Sequence, residues 1–566
     1  MRNMSWMQAA LGLAATIAIT AAPGASAALR IDTSQVDLDS SAFKRFKGFV
    51  DAAVNGNPGY AFSAADAATL FQLTPKDKYC ELAVRLVQTQ VDEADARIAA
   101  GERPAVAGDS YLEAGPMIGE LALTWEVCRT FVTDAQREQW SAYAEQAVWN
   151  IWNPKSAKWG ERTFEWTGWS IDNPGNNYYY SFVEATMYWG LASNNDTWLK
   201  LLREDKLPAL TAYFGKLRGG GSLEGTGYGA AHMRLFALYR TWRDSTGEDL
   251  ANANTHADDS IRFWVHATLP TLDRFAPIGD QSRVSVPEIY DYHRRLVLEA
   301  RSLSKNEELR SIASWWLHDI SIREMTHGFN FRHGLLPAGD GGTPPTSLIY
   351  HATGTGHLFA RTGWDRKAAW IAFNAGPYLE SHAHQDQGGF TYFSGDWLAV
   401  TENIWTHSGI QQGTDVHNVL RFVRNGTTIR QREPSTSSMQ VTRMDAATGE
   451  VHARGDLSAA YAKAAGVNSW QREIDFVGGQ LTVHDTFSKT ADTDAIFQVN
   501  VPVQPVINGR EARAGRLLIK VIQPEDAVLS TLDWSSLDKA EFRSGWRIDA
   551  KGSGDTFLVE LSDAGN

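Results

Sequence analysis

The period of the hydrophobic pattern changes near residue 340, and this change restricts the folds that the chain can adopt. From about residue 40 to residue 330, apolar residues recur at the three- and four-residue spacing of amphipathic helices. The segment from Trp140 to Trp152 shows this spacing, with Asp134 as a candidate N-cap. A succession of such helices predicts either a helical solenoid or a closed helical toroid.

The second part of the chain shows the two-residue alternation of β-strands. Residues 391–402 form one candidate strand, and Gly478-Gly479 separates two alternating runs as a hairpin turn would. The segment Leu335–Pro345 is rich in glycine and proline, and we interpret it as the boundary between the two parts. The sequence therefore predicts an α+β multidomain protein, with an all-α domain at 28–335 followed by a C-terminal antiparallel β-sandwich at 346–566.

The first 27 residues have the pattern of an export signal. Arg2 provides a positive start, an apolar run extends from Ala9 to Ala22, and Ala25-Ser26-Ala27 offers small residues for cleavage. We therefore expect residues 1–27 to be a signal peptide, and the mature chain to be a soluble bacterial protein that is periplasmic or secreted.

Charge and cysteine content narrow the environment and the partners. The formal net charge of −13 makes nucleic acid and anionic membranes poor candidates, although an anionic polymer in a locally basic cleft remains compatible with it. Cys80 and Cys128 both lie in helical sequence. They could form one disulfide in an oxidising compartment or remain two buried thiols, and the sequence favours neither.

Two histidines and a carboxylate lie at two-residue spacing in His382-Ala-His384-Gln-Asp386. On an extended chain, these three side chains would point to one face. A packed interior tolerates such a set only when a metal, a substrate or the residues themselves pair the polar groups. The run therefore indicates a functional site.

A second segment, Asp415-Val-His417-Asn418, adds a third histidine to the predicted sheet. Three histidines in two segments of one sheet favour a metal or catalytic cluster over isolated structural roles. Neutral imidazoles with a carboxylate suit zinc, and Glu402, Asp386 and Asp415 compete for the carboxylate position.

Two loops of the helical part contain polar residues that could serve either in a functional site or in the local structure. Asn176 and Asn177 precede a helix, so they could cap it or donate hydrogen bonds to a substrate carboxylate. Glu224 and Tyr228 lie in a glycine-rich loop, where the tyrosine could transfer protons or simply pack. His232 follows one turn later and could tune Tyr228 or pack in the core.

A third loop contains Asp280 and Arg283. The guanidinium of Arg283 could bind a carboxylate through two parallel hydrogen bonds, or form a salt bridge with an acid of its own loop.

Together these motifs resemble those of the heparinase II/III-like polysaccharide lyases. The likeness is carried by Phe359-Ala-Arg361-Thr-Gly-Trp364-Asp365, His382-x-His384-x-Asp386, His417-Asn418, Glu224-Gly-x-x-Tyr228, Pro277-x-Gly279-Asp280 and Asn176-Asn177. The resemblance implies an N-terminal (α/α) toroid followed by a C-terminal β-sandwich, and the activity of a polysaccharide lyase.

Such lyases cleave at O4 of a uronic acid by β-elimination. The resemblance implies that Asn177 and His382 hold the substrate carboxylate, with His382 as a possible base, and that Tyr228 is the acid or both acid and base. It places the remaining candidates in the substrate site, namely Asn176, Tyr178, Glu224, His232 and Arg283. It further implies one structural zinc on His384, His417 and Glu402, and no organic cofactor.

Two positions depart from the family pattern. Many relatives have a histidine base after the asparagine pair, where this chain has Tyr178, so Tyr228, Tyr178 and His382 all compete for the role of base. Relatives also often have a zinc-binding aspartate where this chain has Thr401, and Glu402 would have to replace it from the next position.

The expected substrate is an anionic polysaccharide or oligosaccharide. Alginate, glucuronan and non-sulfated glycosaminoglycans are the candidates, with oligo-alginate first, and a homodimer is a further expectation. One rival hypothesis is a glycoside hydrolase that uses Glu224 and Asp280 as paired carboxylates. The other rival is a glycan-binding protein without catalytic activity.

Overall fold

The computed structural model describes residues 28–281 and 287–565, so the predicted signal peptide and Arg283 lie outside the described residues. The helical part of the chain is a ring of helices in two layers. The helices are α1 Ser41–Val54, α2 Ala64–Leu73, α3 Asp77–Ala99, α4 Ala114–Val127, α5 Asp134–Trp152, α6 Asn177–Ser193, α7 Asp196–Leu201, α8 Leu207–Phe214, α9 His232–Thr246, α10 His256–Ala267, α11 Asp291–Leu303 and α12 Glu307–Asp319.

The inner layer of the ring consists of α2, α4, α6, α9 and α11, each in contact with the next. Helices such as α3, α5, α10 and α12 pack outside them. The ring closes where α1 contacts the 3₁₀-helix Gly328–Leu335, which also contacts α11. Phe49 of α1 packs against Phe331, with ring centroids 5.8 Å apart. Of the two predicted arrangements, a solenoid and a closed toroid, the helices form the closed toroid.

Local capping explains where two of these helices begin. Helix α5 starts after Thr133, whose hydroxyl accepts from the Gln136 amide while the Gln136 side chain accepts from the Thr133 amide. Asp134, the expected cap, is instead the first helical residue. Helix α6 starts after Asn176, whose side chain accepts from the Tyr178 amide. This cap fixes the position of Asn177 at the helix N-terminus.

The second part of the chain is built from antiparallel strands. Strands β1 Lys158–Trp159 and β2 Arg162–Thr163 form a short hairpin within the helical part. The strands of the second part are β3 Ile349–Ala352, β4 His357–Arg361, β5 Ala369–Asn374, β6 Pro377–Tyr378, β7 Phe390–Ser394, β8 Asp396–Ala399, β9 Leu420–Arg424, β10 Thr427–Thr428, β11 Ser435–Thr436, β12 Ser438–Asp445, β13 Glu450–Asp456, β14 Val467–Val477, β15 Gln480–Lys489, β16 Thr493–Val501, β17 Val506–Asn508, β18 Glu511–Ala514, β19 Leu517–Gln523, β20 Val528–Asp533, β21 Trp546–Lys551 and β22 Thr556–Asp563. A short helix, α13 Trp534–Leu537, follows β20.

Three larger sheets form the sandwich. An eight-stranded sheet has the order β12-β13-β14-β15-β22-β19-β18-β17, and two five-stranded sheets have the orders β3-β4-β5-β7-β8 and β10-β9-β16-β21-β20. One apolar core joins residues from all three sheets. The hairpin at Gly478-Gly479 is confirmed, with Val477 opposite Gln480. The predicted fold class, a helical toroid followed by an antiparallel β-sandwich, is therefore confirmed.

The sheet β3-β4-β5-β7-β8 is buried on both faces, because it lies between the sandwich core and the helices. Leu358 and Ile371 belong to the sandwich core, whereas their neighbours Phe359 and Trp370 belong to the core of the helical part. Arg361 donates from Nη2 to the carbonyl oxygens of His266 and Thr268, at 2.9 and 2.6 Å. The two halves are thus joined by apolar packing and by buried hydrogen bonds.

Two strand predictions around the histidine run are wrong. Residues 391–402 do not form one strand, because β7 and β8 reverse at Gly395, whose φ of 67° suits a tight turn, and Glu402 begins a 3₁₀-helix. The segment from His382 to Asp386 lies in a loop, not on a strand. Its three side chains are therefore placed by long-range contacts and not by the alternation of a pleated chain.

The cysteine alternatives are decided by the structure, in which Cys80 and Cys128 form a disulfide between α3 and the end of α4. Among residues 28–281 and 287–565, no helix has the length and apolar character needed to cross a membrane.

Candidate active site

A tyrosine from the helical part stacks on a histidine from the β part. Tyr228 begins a 3₁₀-helix that leads into α9, and His382 lies in the loop that follows β6. Their ring centroids are 3.6 Å apart and their planes are inclined by 12°. Both side chains retain partial exposure, so a ligand can reach them. The sequence motifs place Tyr228 and His382 in one site, and the structure brings the two side chains into contact.

Asp280 holds both histidines of the run. Its Oδ2 lies 2.8 Å from Nδ1 of His382, and its Oδ1 lies 2.7 Å from Nε2 of His384. The amide of Gln412 donates to the same carboxylate at 3.2 Å. Because Nδ1 of His382 faces Asp280, its Nε2 is the nitrogen left for a substrate.

The charges in this cluster shift its pKa values in opposite directions. Burial alone would raise the pKa of Asp280, but hydrogen bonds from His382, His384 and Gln412 lower it to about 2. Burial would lower the pKa of His382, but its hydrogen bond to Asp280 and the nearby Glu224 raise it above the ordinary value. Asp280 is therefore an anion that favours the protonated form of His382.

Close backbone approach between three loops explains the glycines of the motifs. The amide of Thr226 donates to the Ile278 carbonyl at 2.8 Å, and the amide of Asp280 donates to the His382 carbonyl at 2.9 Å. Gly279 has φ of +70°, and a Cβ there would collide with the carbonyl of Glu224. The loops of Tyr228, Asp280 and His382 are thus hydrogen-bonded to one another through their main chains.

Glu224 is buried beside this cluster, and its Oε1 has no hydrogen-bond partner among the described residues. Burial raises its pKa to about 7, against the lowering effect of His382. A carboxyl group with this pKa exchanges its proton near neutral pH, so Glu224 can donate a hydrogen bond to an anionic ligand or accept one from a cation.

The asparagine loop reaches the site through Glu380, which lies two residues before His382. Asn173 donates to Glu380 Oε2 at 3.3 Å, and the hydroxyl of Tyr213 donates to Oε1 at 3.0 Å. The adjacent Asn176 is committed to capping α6, whereas Oδ1 of Asn177 is buried without a hydrogen-bond partner in the described part of the chain. The side-chain oxygen of Asn177 is therefore able to accept a hydrogen bond from a ligand, whereas that of Asn176 is used by the cap.

Two other candidates have structural partners instead. The Tyr178 hydroxyl donates a hydrogen bond to the Asp109 carboxylate at 2.9 Å, so this hydroxyl already has a structural partner. His232 is buried among Tyr180, Phe214 and His256, and burial holds its pKa well below the ordinary value. His232 is thus a neutral residue that packs among these aromatic rings.

The second histidine pair lies deeper. Nδ1 of His384 lies 3.1 Å from Nε2 of His417, and Nδ2 of Asn403 lies 3.4 Å from the same His384 nitrogen. Burial and the neighbouring His384 hold the pKa of His417 well below the ordinary value, so His417 is neutral. The structure thus brings together the two histidines that were predicted to bind zinc, and their binding of a metal stays a prediction.

The expected carboxylate ligand of a zinc ion is not at this pair. Glu402 lies against Gly545 near Asp533, and both its carboxylate oxygens lack hydrogen-bond partners among the described residues. Asp386 instead accepts from Asn374 at 2.8 Å, and Asp415 accepts from Thr428 at 2.8 Å. The prediction of Glu402 as a ligand is therefore wrong, because the 3₁₀-turn after β8 carries its side chain away from the histidines.

What remains for zinc is two imidazoles, with Asp280 behind His384 as an orienting carboxylate. A structural zinc site needs four ligands, and the described residues contain no group of three or more histidine, cysteine or acidic side chains arranged to hold a metal. The donor set therefore falls short of a zinc site, and no chemical step is assigned to a metal. Zinc stays a prediction that metal analysis of the purified protein tests.

Sequence reasoning identifies Asp280 but not its contacts with the two histidines, and it misses Glu380 and Gln412 altogether. Asp280 is shared by two histidines more than 100 residues away, Glu380 anchors the asparagine loop, and Gln412 completes the carboxylate's partners. Their spacing from the motifs gives one signal, because Glu380 lies two residues before His382 and Gln412 lies just before the His417 segment.

Comparison with solved structures places this arrangement on a known fold. The chain has the fold of heparinase-type polysaccharide lyases. A heparan sulfate lyase from Pedobacter heparinus matches with a TM-score of 0.59 at 13% identity, over 94% of this chain and 85% of that one. A structure of heparinase III matches with a TM-score of 0.59 at 13% identity, over 88% of this chain and 75% of that one. No protein-family model and no curated protein matches the sequence.

Proposed function

We propose that the protein is a polysaccharide lyase that cleaves a uronate-containing polysaccharide or oligosaccharide by β-elimination. The observation that carries this proposal is the stack of Tyr228 on His382, with the imidazole held by Asp280. This pair offers a hydroxyl and a ring nitrogen on adjacent planes, which suits the transfer of two protons at one sugar ring.

In the proposed reaction, a base removes the C5 proton of the uronic acid, the C4–C5 bond becomes double, and the C4–O4 bond breaks as O4 takes a proton. The C5 proton is weakly acidic while the adjacent carboxylate is charged. Asn177 and the protonated His382 would donate hydrogen bonds to that carboxylate and stabilise the enolate-like intermediate. Glu224 would add a third donor when it is protonated.

In this reaction, Tyr228 would transfer the protons, with its phenol as the acid that protonates O4 or as both the base at C5 and that acid. Its partial exposure and its position over the imidazole let the phenol approach C5 and O4 from the open side of the site. Tyr178 is a weaker candidate for the base, because its hydroxyl is bonded to Asp109.

Heparan sulfate lyases with this fold make heparan-type glycosaminoglycans substrates to test beside alginate and glucuronan. The disulfide supports export to an oxidising compartment, in line with the signal-like first 27 residues. The protein would thus act on an anionic saccharide outside the cytoplasm.

The glycoside hydrolase hypothesis has one observation in its favour. Glu224, with a pKa of about 7, and Asp280, with a pKa of about 2, are a pair of carboxyl groups with separated pKa values. However, both oxygens of Asp280 are bonded to histidines, and this leaves it poorly placed to attack a sugar or activate water. The lyase explains these bonds and the hydrolase does not.

The deciding experiment incubates the protein with heparan sulfate, its non-sulfated precursor, alginate and glucuronan. A lyase produces the ultraviolet absorbance of an unsaturated uronate, and its products together have the mass of the substrate. A hydrolase produces saturated products with one water added at each cut. Binding without any product would support the glycan-binding alternative, and the lyase proposal fails if no polymer gives the absorbance.

A further inference from the structure

A chamber of about 840 Å³ lies inside the helical ring. Its wall includes residues of α4, α6, α9 and α11, and Tyr228, Asn177 and His382 are not among the residues that line it. Its size falls within the range of about 300–1,000 Å³ that small-molecule sites occupy. The chamber is therefore large enough for a ligand and separate from the stacked Tyr228–His382 pair.

The chamber is lined by seven arginines and six acidic residues, and one of the arginines has no partner among the described residues. Arg240 bonds to the buried Glu299 at 2.7 Å, and Arg234 bonds to Glu184 at 2.8 Å. Arg295 lines the same wall, yet its guanidinium forms no hydrogen bond or ion pair with any other described residue, and its Nε is buried. The two carboxylates that favour its charge, Glu299 and Glu184, are already bonded to the other arginines.

A second arginine is only weakly neutralised. Nε of Arg332 lies 3.4 Å from Asp66, a distance and geometry that form an ion pair without a hydrogen bond. Burial raises the pKa of Asp66 and raises that of the neighbouring Glu120 to about 7, so the negative charge on this side is reduced. The wall therefore has an excess of positive charge at Arg295 and Arg332.

An enclosed arginine without a partner is costly to a fold, so a ligand that pairs with Arg295 and adds to the weak pairing of Arg332 would be strongly favoured. The guanidinium fork matches the two oxygens of a carboxylate or a sulfate. At one side of the chamber, Tyr60 and Tyr292 are exposed by 86% and 41%, and Phe329 lies edge-on to Tyr60 at 5.9 Å. Exposed aromatic rings of this kind stack on the apolar faces of sugars.

We propose that the chamber is a second binding site, which takes a short acidic saccharide with its carboxylate or sulfate on Arg295 and Arg332 and its sugar rings near Tyr60 and Tyr292. The choice of an acidic saccharide rests on the proposed function. The two arginines by themselves indicate only that the ligand carries an oxyanion, which is either a carboxylate or a sulfate.

Calorimetric titration of the full chain tests this site without any need for turnover. The protein carries Tyr228→Phe to prevent cleavage, and the probes are an unsaturated uronate disaccharide, its sulfated counterpart, a neutral disaccharide and inorganic sulfate. We expect an acidic disaccharide to bind in a mode that Arg295→Met weakens at least tenfold and that the neutral disaccharide lacks. Comparison of the two acidic disaccharides distinguishes carboxylate from sulfate recognition.

Two control variants and one expectation about folding make the outcome decisive. Arg295→Lys keeps the charge but loses the fork, so it should weaken binding less than Arg295→Met. Arg97→Met removes an exposed arginine elsewhere and should change nothing. Arg295→Met should fold at least as well as the parent, because it removes an enclosed charge without a partner.

If Arg295→Met leaves every binding event unchanged, the chamber site is refuted. If inorganic sulfate binds as tightly as the disaccharides, the saccharide part is refuted and the chamber is a simple anion site. Failure of the lyase proposal would appear separately, as the absence of unsaturated products from all polymers.

Discussion

The ring of Tyr228 lies 3.6 Å from the ring of His382, although the two residues belong to different halves of the chain. The helical part supplies the tyrosine and Asp280, and the β part supplies the histidine. Each half alone therefore lacks part of the candidate chemistry. The buried contacts of Arg361 and Trp370 with the His266 carbonyl maintain the docking that assembles the site.

Replacement of Tyr228 by phenylalanine should abolish most of the activity while the fold survives. The stacked ring is retained and the proton-transferring hydroxyl is lost, so we expect kcat to fall by about 100-fold or more. Tyr239→Phe is a matched control, because the Tyr239 hydroxyl is buried without a hydrogen-bond partner among the described residues. Steady-state rates on an accepted polymer, with circular dichroism to check folding, measure both. Activity of Tyr228→Phe equal to that of Tyr239→Phe would contradict the assigned role.

Replacement of Asp280 by asparagine should move the pH–rate profile. The Asp280 carboxylate raises the pKa of His382, so its removal lowers that pKa, and the limb of the profile that His382 governs should move to lower pH. A purely structural role for Asp280 would reduce the rate equally at all pH values. Rates recorded from pH 5 to pH 9 distinguish these two outcomes.

Replacement of Glu224 by glutamine should stabilise the protein at alkaline pH. The pKa of Glu224 is about 7 in the folded state, above the 4.5 of the free side chain, so its ionisation disfavours folding. The resulting loss of stability begins above pH 4.5 and is complete above pH 7, with an upper limit of about 3 kcal/mol. Urea unfolding at pH 8 should show a higher midpoint for Glu224→Gln.

At pH 4 the same glutamine variant and the parent should unfold alike, because both side chains are then neutral. The exposed Glu161→Gln should show no difference at either pH. A Glu224→Gln protein that is less stable than the parent at pH 8 would mean that the carboxylate has a buried cationic partner that the structure lacks.

Replacement of Arg472 by methionine should destabilise the loops that carry the histidines. Arg472 pairs with the fully buried Asp485 at 2.6 Å and donates to the carbonyl oxygens of Gly388 and Asn418. Removal of one partner from a buried ion pair costs about 3–5 kcal/mol. Arg516→Met, which breaks the more exposed pair with Asp563, should cost less than about 1 kcal/mol. Equal free energies of unfolding for the two variants would contradict this ranking.

The regular elements could be predicted because their patterns are local. The hairpin at Gly478-Gly479 is specified by two glycines between alternating runs, and α5 by the spacing of its apolar residues. The N-cap of α5 was assigned one residue late, because Thr133 and Asp134 are both good caps and the reciprocal bond of Gln136 decides between them.

The internal arrangement of the site could be predicted only in part. The motifs predict Tyr228 and His382 in one site, and the structure stacks their rings, but the extended-chain interpretation of the histidine run is wrong. His382 and His384 are oriented by Asp280, more than 100 residues earlier, and no local pattern encodes that contact. The prediction for Glu402 is wrong for a local reason, since the turn after β8 determines the direction of its side chain.

The closure of the helical ring by α1 and the segment near Phe331 has a consequence for biogenesis. Arg45 and Glu324 form an ion pair across 279 positions of sequence, so the ring cannot close until its last segment has left the ribosome. Contacts of such sequence separation slow folding. The first helix of the ring therefore lacks its closing partner while most of the helical part is still being synthesised.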